Sequence, residues 1–142
     1  MSETDRIVDF LGGRSAVAPG TRGEVDFVAA LRRGLSASAF RNATEALRIP
    51  AGELTRMLGL SRRTLTRRKA RLSTTESSRL FRLARLHARA AEVLDGPEAA
   101  TRWLRRPQRA LGGEVPMALL DTDAGALAVE RLLGRIGDAV VT

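Results

Sequence analysis

The sequence contains no cysteine and no tyrosine, and it has a single histidine among its 142 residues. Without cysteine there is no disulfide framework, no thiol nucleophile and no cysteine metal site, and a lone histidine leaves little for zinc or triad chemistry. No pair of carboxylates has a suitably placed partner for acid–base work. We therefore expect no cofactor, no metal site and no catalytic residue, and an enzyme is the weakest functional class for this chain.

Aromatic residues are also scarce, at 4% of the sequence against 44% hydrophobic residues. Leucine and alanine must therefore build the core, which favours an all-α fold. No apolar run approaches the ~20 residues that span a bilayer, and the first residues have neither the basic nor the apolar part of a signal peptide. We expect a soluble, cytoplasmic protein of about one domain's length that has no membrane partner.

Positive charge is present in excess, with a formal net charge of +8, and it is concentrated in one stretch. Residues 48–89 hold twelve basic and two acidic residues, whereas the remaining residues hold twelve basic and fourteen acidic ones. Such a block is typical of a nucleic-acid surface, because each neutralised phosphate releases a counterion. The alternative is a solvated helix surface in an arginine-rich chain, so the motif around the charge must decide.

Residues 1–23 carry glycine and proline with little periodicity, and they predict a flexible N-terminal arm. A short helix follows, with Phe27, Val28 and Leu31 on one face, and Ser36 is a suitable N-cap for the next helix. These two helices carry no evident chemistry, so we expect them to support the segment that follows.

Residues 24–72 as a whole predict a helix-turn-helix DNA-binding region. Pro50 can start its first helix, and Gly59 lies at the bend before the second. In this motif the second helix enters the major groove, where an arginine can bond guanine O6 and N7 together, and the helix N-terminus can bind a phosphate. The predicted DNA-binding residues are Ser61, Arg62, Arg63, Thr64, Arg67 and Arg68.

Residues 73–95 predict one long connecting helix. Ser73 and Glu76 form a capping box at its start. His87 falls within its apolar stripe, which favours a neutral core histidine over a metal ligand or general base. The opposite face is expected to be basic and solvated, through Arg82, Arg85 and Arg89.

The last part of the chain, residues 96–142, contains a loop between two prolines and a final helix. The glycine pair in the loop lacks the following Lys or Ser of a nucleotide-binding loop. Asp121 begins a weak match to a calcium loop, but the twelfth position, where a bidentate Glu belongs, is Leu132. Thr122 is expected instead to cap the final helix, on which Leu127 packs inward and Gly125 lets another backbone approach.

The motifs of this last part resemble a known domain. A Trp-Leu pair closing a helix, a proline-bounded loop with Leu-Gly-Gly, and Thr-Asp-x-Gly opening the final helix resemble the toxin-binding domain of Xre/MbcA/ParS-type antitoxins. Residues 58–65, Leu-Gly-Leu-Ser-Arg-Arg-Thr-Leu, are similar to a stretch of the Xre-like helix-turn-helix that precedes it. The resemblance covers residues 34–137, and it implies an all-α Xre-like helix-turn-helix bundle followed by a small helical toxin-binding domain.

The resemblance also implies a function. The protein would bind a RES-domain toxin that consumes NAD, block its active site, and usually repress the shared operon on operator DNA, as a homodimer within a toxin–antitoxin hetero-oligomer. The residues that match the toxin-binding pattern are Trp103, Leu104, Pro107, Leu111, Gly112, Pro116, Gly125, Leu133, Gly134, Arg135 and Ile136.

The loop and the tail add a chemical argument to this resemblance. Leu111 with Gly112 and Gly113 lies between two prolines, which predicts a pre-shaped apolar loop that loses little entropy on binding. The tail departs from the usual family ending, because no aromatic residue follows Arg135. A pocket for an anionic dinucleotide must offer cationic groups, so Asp138 and the terminal carboxylate of Thr142 are candidates to act as a plug.

A second functional class stays open: a stand-alone helix-turn-helix transcription regulator whose C-terminal part serves dimerisation or binds a small ligand. A RES-domain gene beside this one would separate the two interpretations.

Overall fold

The computed structural model of the protein describes residues 1–17, 24–61 and 71–141, and these ranges contain α-helices and no β-strand. The all-α prediction is confirmed. Two short 3₁₀ turns, Arg109–Leu111 and Pro116–Leu119, lie between the last two helices. The helices are α1 (Glu3–Phe10), α2 (Arg14–Val17), α3 (Glu24–Arg33), α4 (Ala37–Leu47), α5 (Ala51–Leu58), α6 (Thr74–Leu94), α7 (Pro97–Leu104) and α8 (Asp123–Val141).

Helix α6 is the centre of the fold, and α1, α3, α5, α7 and α8 all pack against it. It begins with the predicted capping box, in which the Glu76 N–H donates to Ser73 Oγ at 3.1 Å and the Ser73 N–H donates to Glu76 Oε1 at 2.9 Å. It ends at Asp95, which has a left-handed φ of 77°. Because neighbours cover several sides, both Leu86 and Ala88 are buried although they lie on different faces, about 200° apart around the helix.

The three arginines expected on a solvated face of α6 are instead paired with acidic residues from elsewhere in the fold. Arg82 pairs with Asp123, Arg85 with Glu130, and Arg89 with both Glu3 and Glu130. The expectation of a wet basic face is therefore wrong, because α1 and α8 bring carboxylates to it. Burial alone would lower the pKa of Arg89, but the carboxylates of Glu3 and Glu130 raise it overall.

The first seventeen residues are also not the flexible arm that their composition predicts. Ser2 caps α1 through a capping box with Asp5. Ile7, Phe10 and Leu11 are buried in the same core as α6. The apolar spacing of this short helix is sufficient to dock it, so the expectation is wrong for residues 1–17, while residues 18–23 lie outside the described residues.

Helices α3 to α5 follow the predicted order. Phe27 is buried as expected, but Val28 is 41% exposed, so α3 is rotated relative to the prediction. Ser36 precedes α4 in an extended conformation without a side-chain capping bond. No helix in the described ranges is long and apolar enough to cross a membrane.

Candidate functional site

The predicted recognition segment, residues 62–70, is bracketed by a set of hydrogen bonds. On the far side of the segment, the Leu72 N–H donates to the Leu35 carbonyl at 2.8 Å, and Arg71 Nη1 donates to the Gly34 carbonyl at 2.9 Å. Gly34 has φ +92°, and a Cβ built there would lie 2.2 Å from the Leu72 oxygen, so no other residue fits without a shift. The chain that leaves the segment is therefore fixed beside the start of α4.

On the near side, Glu76 holds the chain that enters the segment. The Ser61 N–H donates to Glu76 Oε2 at 2.7 Å, while the other carboxylate oxygen of Glu76 serves the capping box. Burial would raise the pKa of Glu76, but the hydrogen bonds from Ser61 and Ser73, together with the charge of Arg79, lower it overall. One ionised carboxylate thus joins the end of the turn to the start of α6.

Arg79 fixes the turn itself. Its Nη1 donates to the carbonyls of Leu58 and Gly59, at 3.2 and 3.0 Å. Gly59 ends α5 with φ +63°, as its predicted place at the bend requires. The chain that follows α5, where the turn is predicted, is therefore held by α6, which the sequence did not indicate.

The base-reading residues predicted in this segment, Arg62, Arg63, Thr64, Arg67 and Arg68, lie outside the described residues. Ser61 is described and exposed. Its backbone N–H is already occupied by Glu76, so this N–H does not serve as the expected phosphate donor.

Several arginines of the basic stretch, residues 48–89, are bonded within the fold. Arg71 and Arg79 donate to backbone carbonyls of the fold, and the other three arginines of α6 pair with carboxylates. Residues 62–70 keep five basic and no acidic residues. The unpaired positive charge is therefore confined to fewer positions than the count over residues 48–89 indicates.

The proline-bounded loop of the C-terminal part closes on itself through Gln108. The Gln108 N–H donates to the Glu114 carbonyl and the Gly113 N–H donates back to the Gln108 carbonyl, each at 3.0 Å. Gly112 and Gly113 have φ +67° and +84°, and a Cβ at either position would meet no atom within 4 Å. Backbone conformation, and not lack of space, favours glycine here, so the pair forms an exposed, defined tip.

The predicted toxin-binding residues divide by exposure. Leu104 and Pro116 are buried, and Trp103 and Leu111 are half-buried against the core. A buried side chain offers no surface to a partner, so Leu104 and Pro116 support the loop instead of contacting anything outside the protein. The exposed members are Pro107, Gly112, Gly113, Arg135 and Asp138.

The start of α8 matches its sequence prediction. Thr122 Oγ1 accepts the Gly125 N–H at 3.0 Å, which is an N-cap bond. A Cβ at Gly125 would lie 1.9 Å from the Leu119 carbonyl oxygen. The close backbone approach expected at Gly125 is therefore present, and it presses α8 against the preceding 3₁₀ turn.

The outer face of α8 differs from its prediction in two respects. Leu127 is 43% exposed and not packed inward, because Ala126, Val129 and Leu133 form the inward stripe. The helix also continues to Val141, so Asp138 lies on a helix and not on a free tail. Thr142 lies outside the described residues.

His87 occupies the predicted core position. It is 5% exposed, and its ring centroid lies 4.7 Å from that of Phe10. Its Nε2 is 3.0 Å from Thr101 Oγ1, in a hydrogen bond between the two side chains. Burial lowers the pKa of His87 to about 4, so the ring is neutral at neutral pH.

The chain around segment 62–70 and the proline-bounded loop with α8 are the two candidate sites of this all-α fold. They define a protein that joins a helix-turn-helix unit to a C-terminal binding domain. Family models match both parts: the antitoxin Xre-like helix-turn-helix domain over residues 26–85, and the antitoxin Xre/MbcA/ParS C-terminal toxin-binding domain over residues 89–138. The boundary between the two matches falls within α6.

Individual relatives agree with the family models. A protein named antitoxin Xre from Yersinia enterocolitica is 33% identical over 86% of this chain and 84% of its own length. Another antitoxin Xre, from Photorhabdus laumondii, is 36% identical over 64% of each chain, which is less than two thirds of that protein. A Sphingobium protein named Prs ADP-ribosylating antitoxin is 32% identical over 79% of this chain and 78% of its own length. The chain belongs to the Xre antitoxin family.

Proposed function

We propose that this protein neutralises a cognate RES-domain toxin that consumes NAD, by covering the toxin's active site, and that it has no catalytic role of its own. Family membership and the antitoxin names of the relatives support neutralisation. The observation that carries the proposal is an exposed apolar and basic surface within the matched toxin-binding range.

This surface, which we call the loop–helix surface, consists of the glycine tip and the outer face of α8. Leu127, Arg131 and Arg135 follow one another at four-residue spacing and are all exposed. The 3₁₀ turn that precedes the glycine tip contacts α8, so the two parts are joined. A large exposed leucine flanked by arginines is a typical composition for a protein interface.

The end of α8 gives the proposal its mechanism. Asp138 is exposed near the end of the helix, which would hold its carboxylate in a fixed position. A site for an anionic dinucleotide offers cationic groups, which a carboxylate can occupy in place of a phosphate. The helix end would then exclude the substrate both sterically and electrostatically.

Co-expression with the cognate toxin, scored by cell growth and NAD level, tests this function. Leu127→Asp places a charge in the centre of the loop–helix surface, and we expect it to abolish protection. Val25→Asp is the matched control, because Val25 is 83% exposed on α3, and it should protect fully. Full protection by Leu127→Asp would contradict the proposed surface. Deletion of residues 137–142 tests the plug alone, and we expect it to reduce protection while the protein stays folded.

Removal of everything after Pro107 is a less suitable experiment. It would delete α8, whose Val129 and Leu133 belong to the core and whose Glu130 pairs with two arginines of α6. A truncated chain would lose protection through misfolding, so a single substitution on an exposed face separates binding from folding.

We also propose that the helix-turn-helix unit represses the protein's own operon. The five basic residues of segment 62–70, placed after a turn held by Glu76 and Arg79, support DNA binding. A homodimer within the toxin complex would present two such units to two half-sites. Because NAD and operator DNA are both intracellular, the proposal places the protein in the cytoplasm.

A gel shift with promoter DNA tests repression, on the free protein and on its toxin complex. Arg62→Ala and Arg67→Ala should each weaken binding. Removal of an arginine that reads a base should cost ~1 to 3 kcal/mol of binding free energy and relax the sequence specificity. If neither the free protein nor the complex prefers promoter DNA to unrelated DNA, repression is excluded and neutralisation is unaffected.

A further inference from the structure

A cleft of about 650 Å³ lies where the helix-turn-helix unit meets the C-terminal domain. The end of α4, the middle of α6 and the whole length of α7 form its walls, with buried His87 at its floor. Four arginines line it, against two acidic residues: Arg48, Arg102, Arg105 and Arg106, with Glu45 and Glu98. The cleft therefore has a net positive charge.

Three of these arginines differ from the arginines of α6. Within the described ranges, the guanidinium groups of Arg48, Arg102 and Arg106 make no hydrogen bond and no ion pair. Arg105 is different, because its Nη1 donates to the carbonyls of Leu47 and Arg48 at 3.3 Å and so caps the end of α4. The fold pairs three arginines of its central helix with carboxylates but leaves these three arginines of the cleft unpaired.

The position of the cleft favours nucleic acid as the partner. Arg48 ends α4, and two residues join it to α5, the first helix of the predicted motif; segment 62–70 follows the other end of that helix along the chain. A helix of eight residues is ~12 Å long, so Arg48 and the end of α5 are separated by less than one turn of duplex DNA. In helix-turn-helix complexes the first helix crosses the phosphate backbone, which places the cleft beside phosphates.

Arginine also suits this partner chemically. Its planar guanidinium binds phosphate oxygens bidentately, and phosphate contacts position a protein on DNA without reading the sequence. An exposed cleft open to solvent, with donors projecting from its rim, can receive a convex backbone.

We propose that Arg48, Arg102 and Arg106 bind the phosphate backbone of the DNA that the helix-turn-helix unit contacts. The inference rests on the DNA-binding function proposed above. By this inference the C-terminal domain contributes to DNA binding. Arg102 lies on α7 and Arg106 in the turn after it, and both are outside the range of the helix-turn-helix match.

Salt titration of DNA binding by the full-length protein, free and in complex with the toxin, tests the proposal. The Arg102→Ala, Arg106→Ala double variant should lower affinity equally for promoter and unrelated DNA. It should also reduce the slope of log K against log salt by about one for each phosphate that the variant no longer neutralises. The matched control is Arg41→Ala, compared with Arg102→Ala alone. It removes the same charge from an exposed position of α4 that does not line the cleft, and it should leave the slope unchanged. Arg105 is kept, because it supports α4.

The outcomes are distinct. If the cleft variant and the control variant change the slope equally, the cleft holds no phosphate and the inference is overturned, while DNA binding by the helix-turn-helix unit stands. If the cleft variant binds DNA normally but loses its toxin, the cleft is a protein interface and the inference is again overturned. If the wild type binds no DNA in either form, the proposed DNA-binding function and this inference both fail.

Discussion

Gly125 occupies a position where a side chain does not fit. A Cβ there would lie 1.9 Å from the Leu119 carbonyl oxygen, so Gly125→Ala must displace α8 from the preceding turn. We expect it to lower the free energy of unfolding by ~1 to 3 kcal/mol. Gly134→Ala is the control on the same helix, where a Cβ meets nothing within 4 Å, and it should raise stability by ~0.5 to 1 kcal/mol. Urea unfolding measures both, and equal effects would contradict the close approach.

His87 gives the protein a defined response to acid. Its pKa is about 4 in the folded state and near 6.5 when unfolded, so the unfolded state binds the extra proton between these values. Stability should therefore fall as the pH drops from 6.5 towards 4, by about 2 kcal/mol between pH 7 and pH 5. His87→Gln should remove most of this slope in urea titrations. A variant that keeps the full slope would assign the acid response to another group.

Glu76 responds in a lower pH range. Its pKa is lowered in the folded state, so the stability it contributes is present above its ordinary value of 4.5 and is lost as the pH falls through the folded value. The acid responses of His87 and Glu76 have the same sign but begin at different pH values, which separates them experimentally.

Local patterns predicted some structural details correctly. The Thr122 cap, the close approach at Gly125 and the buried His87 follow from short-range rules that need no tertiary information. The inward packing of Leu127 was predicted wrongly, and Val28 is exposed although the prediction placed it on one face with the buried Phe27. A period of 3.6 residues defines a stripe but not its rotation when several apolar residues compete, and tertiary packing decides which of them are buried.

At the scale of elements, α1 behaves as part of the core. Ile7 is 2% exposed, so Ile7→Ala should cost ~2 to 5 kcal/mol of unfolding free energy. Val25→Ala, on the exposed face of α3, should stay within about 0.5 kcal/mol of wild type. If both substitutions had equally small effects in urea unfolding, α1 would not be docked in solution.

The composition of the first residues did not predict that α1 is docked, because its docking partner, α6, is far away in sequence. Glu3 pairs with Arg89, and Phe10 stacks near His87, so both contacts cross more than seventy residues. The same distance explains the error on α6, where the acidic partners Asp123 and Glu130 are supplied by α8. Linear charge counts cannot anticipate pairing that only the fold creates.

For the whole molecule, the sequence predicted the order of the parts and the class of fold, since helix signals and the two family motifs are local. It also predicted the long connecting helix, but not that helices from both matched regions pack around it as the centre of the fold. The helix-turn-helix match ends at residue 85 and the toxin-binding match begins at residue 89, yet α6 runs from Thr74 to Leu94 through both. One core cluster contains buried residues from α1 to α8. The two matched regions therefore share a central helix.

This sharing predicts that the chain unfolds as one cooperative unit. A short Gly-Ser segment inserted between Leu86 and His87, at the boundary of the family matches, should abolish the single urea transition, because it breaks α6 and separates buried layers on either side. The same segment inserted between Gly112 and Gly113 is the matched control. Those glycines are exposed at a loop tip, where insertions are tolerated, so the transition should stay single and shift little. If the insertion in α6 left two separate transitions of near-native stability, the two matched regions would be independent domains. A contact between toxin and α8 would then have no route through α6 to the DNA-binding unit.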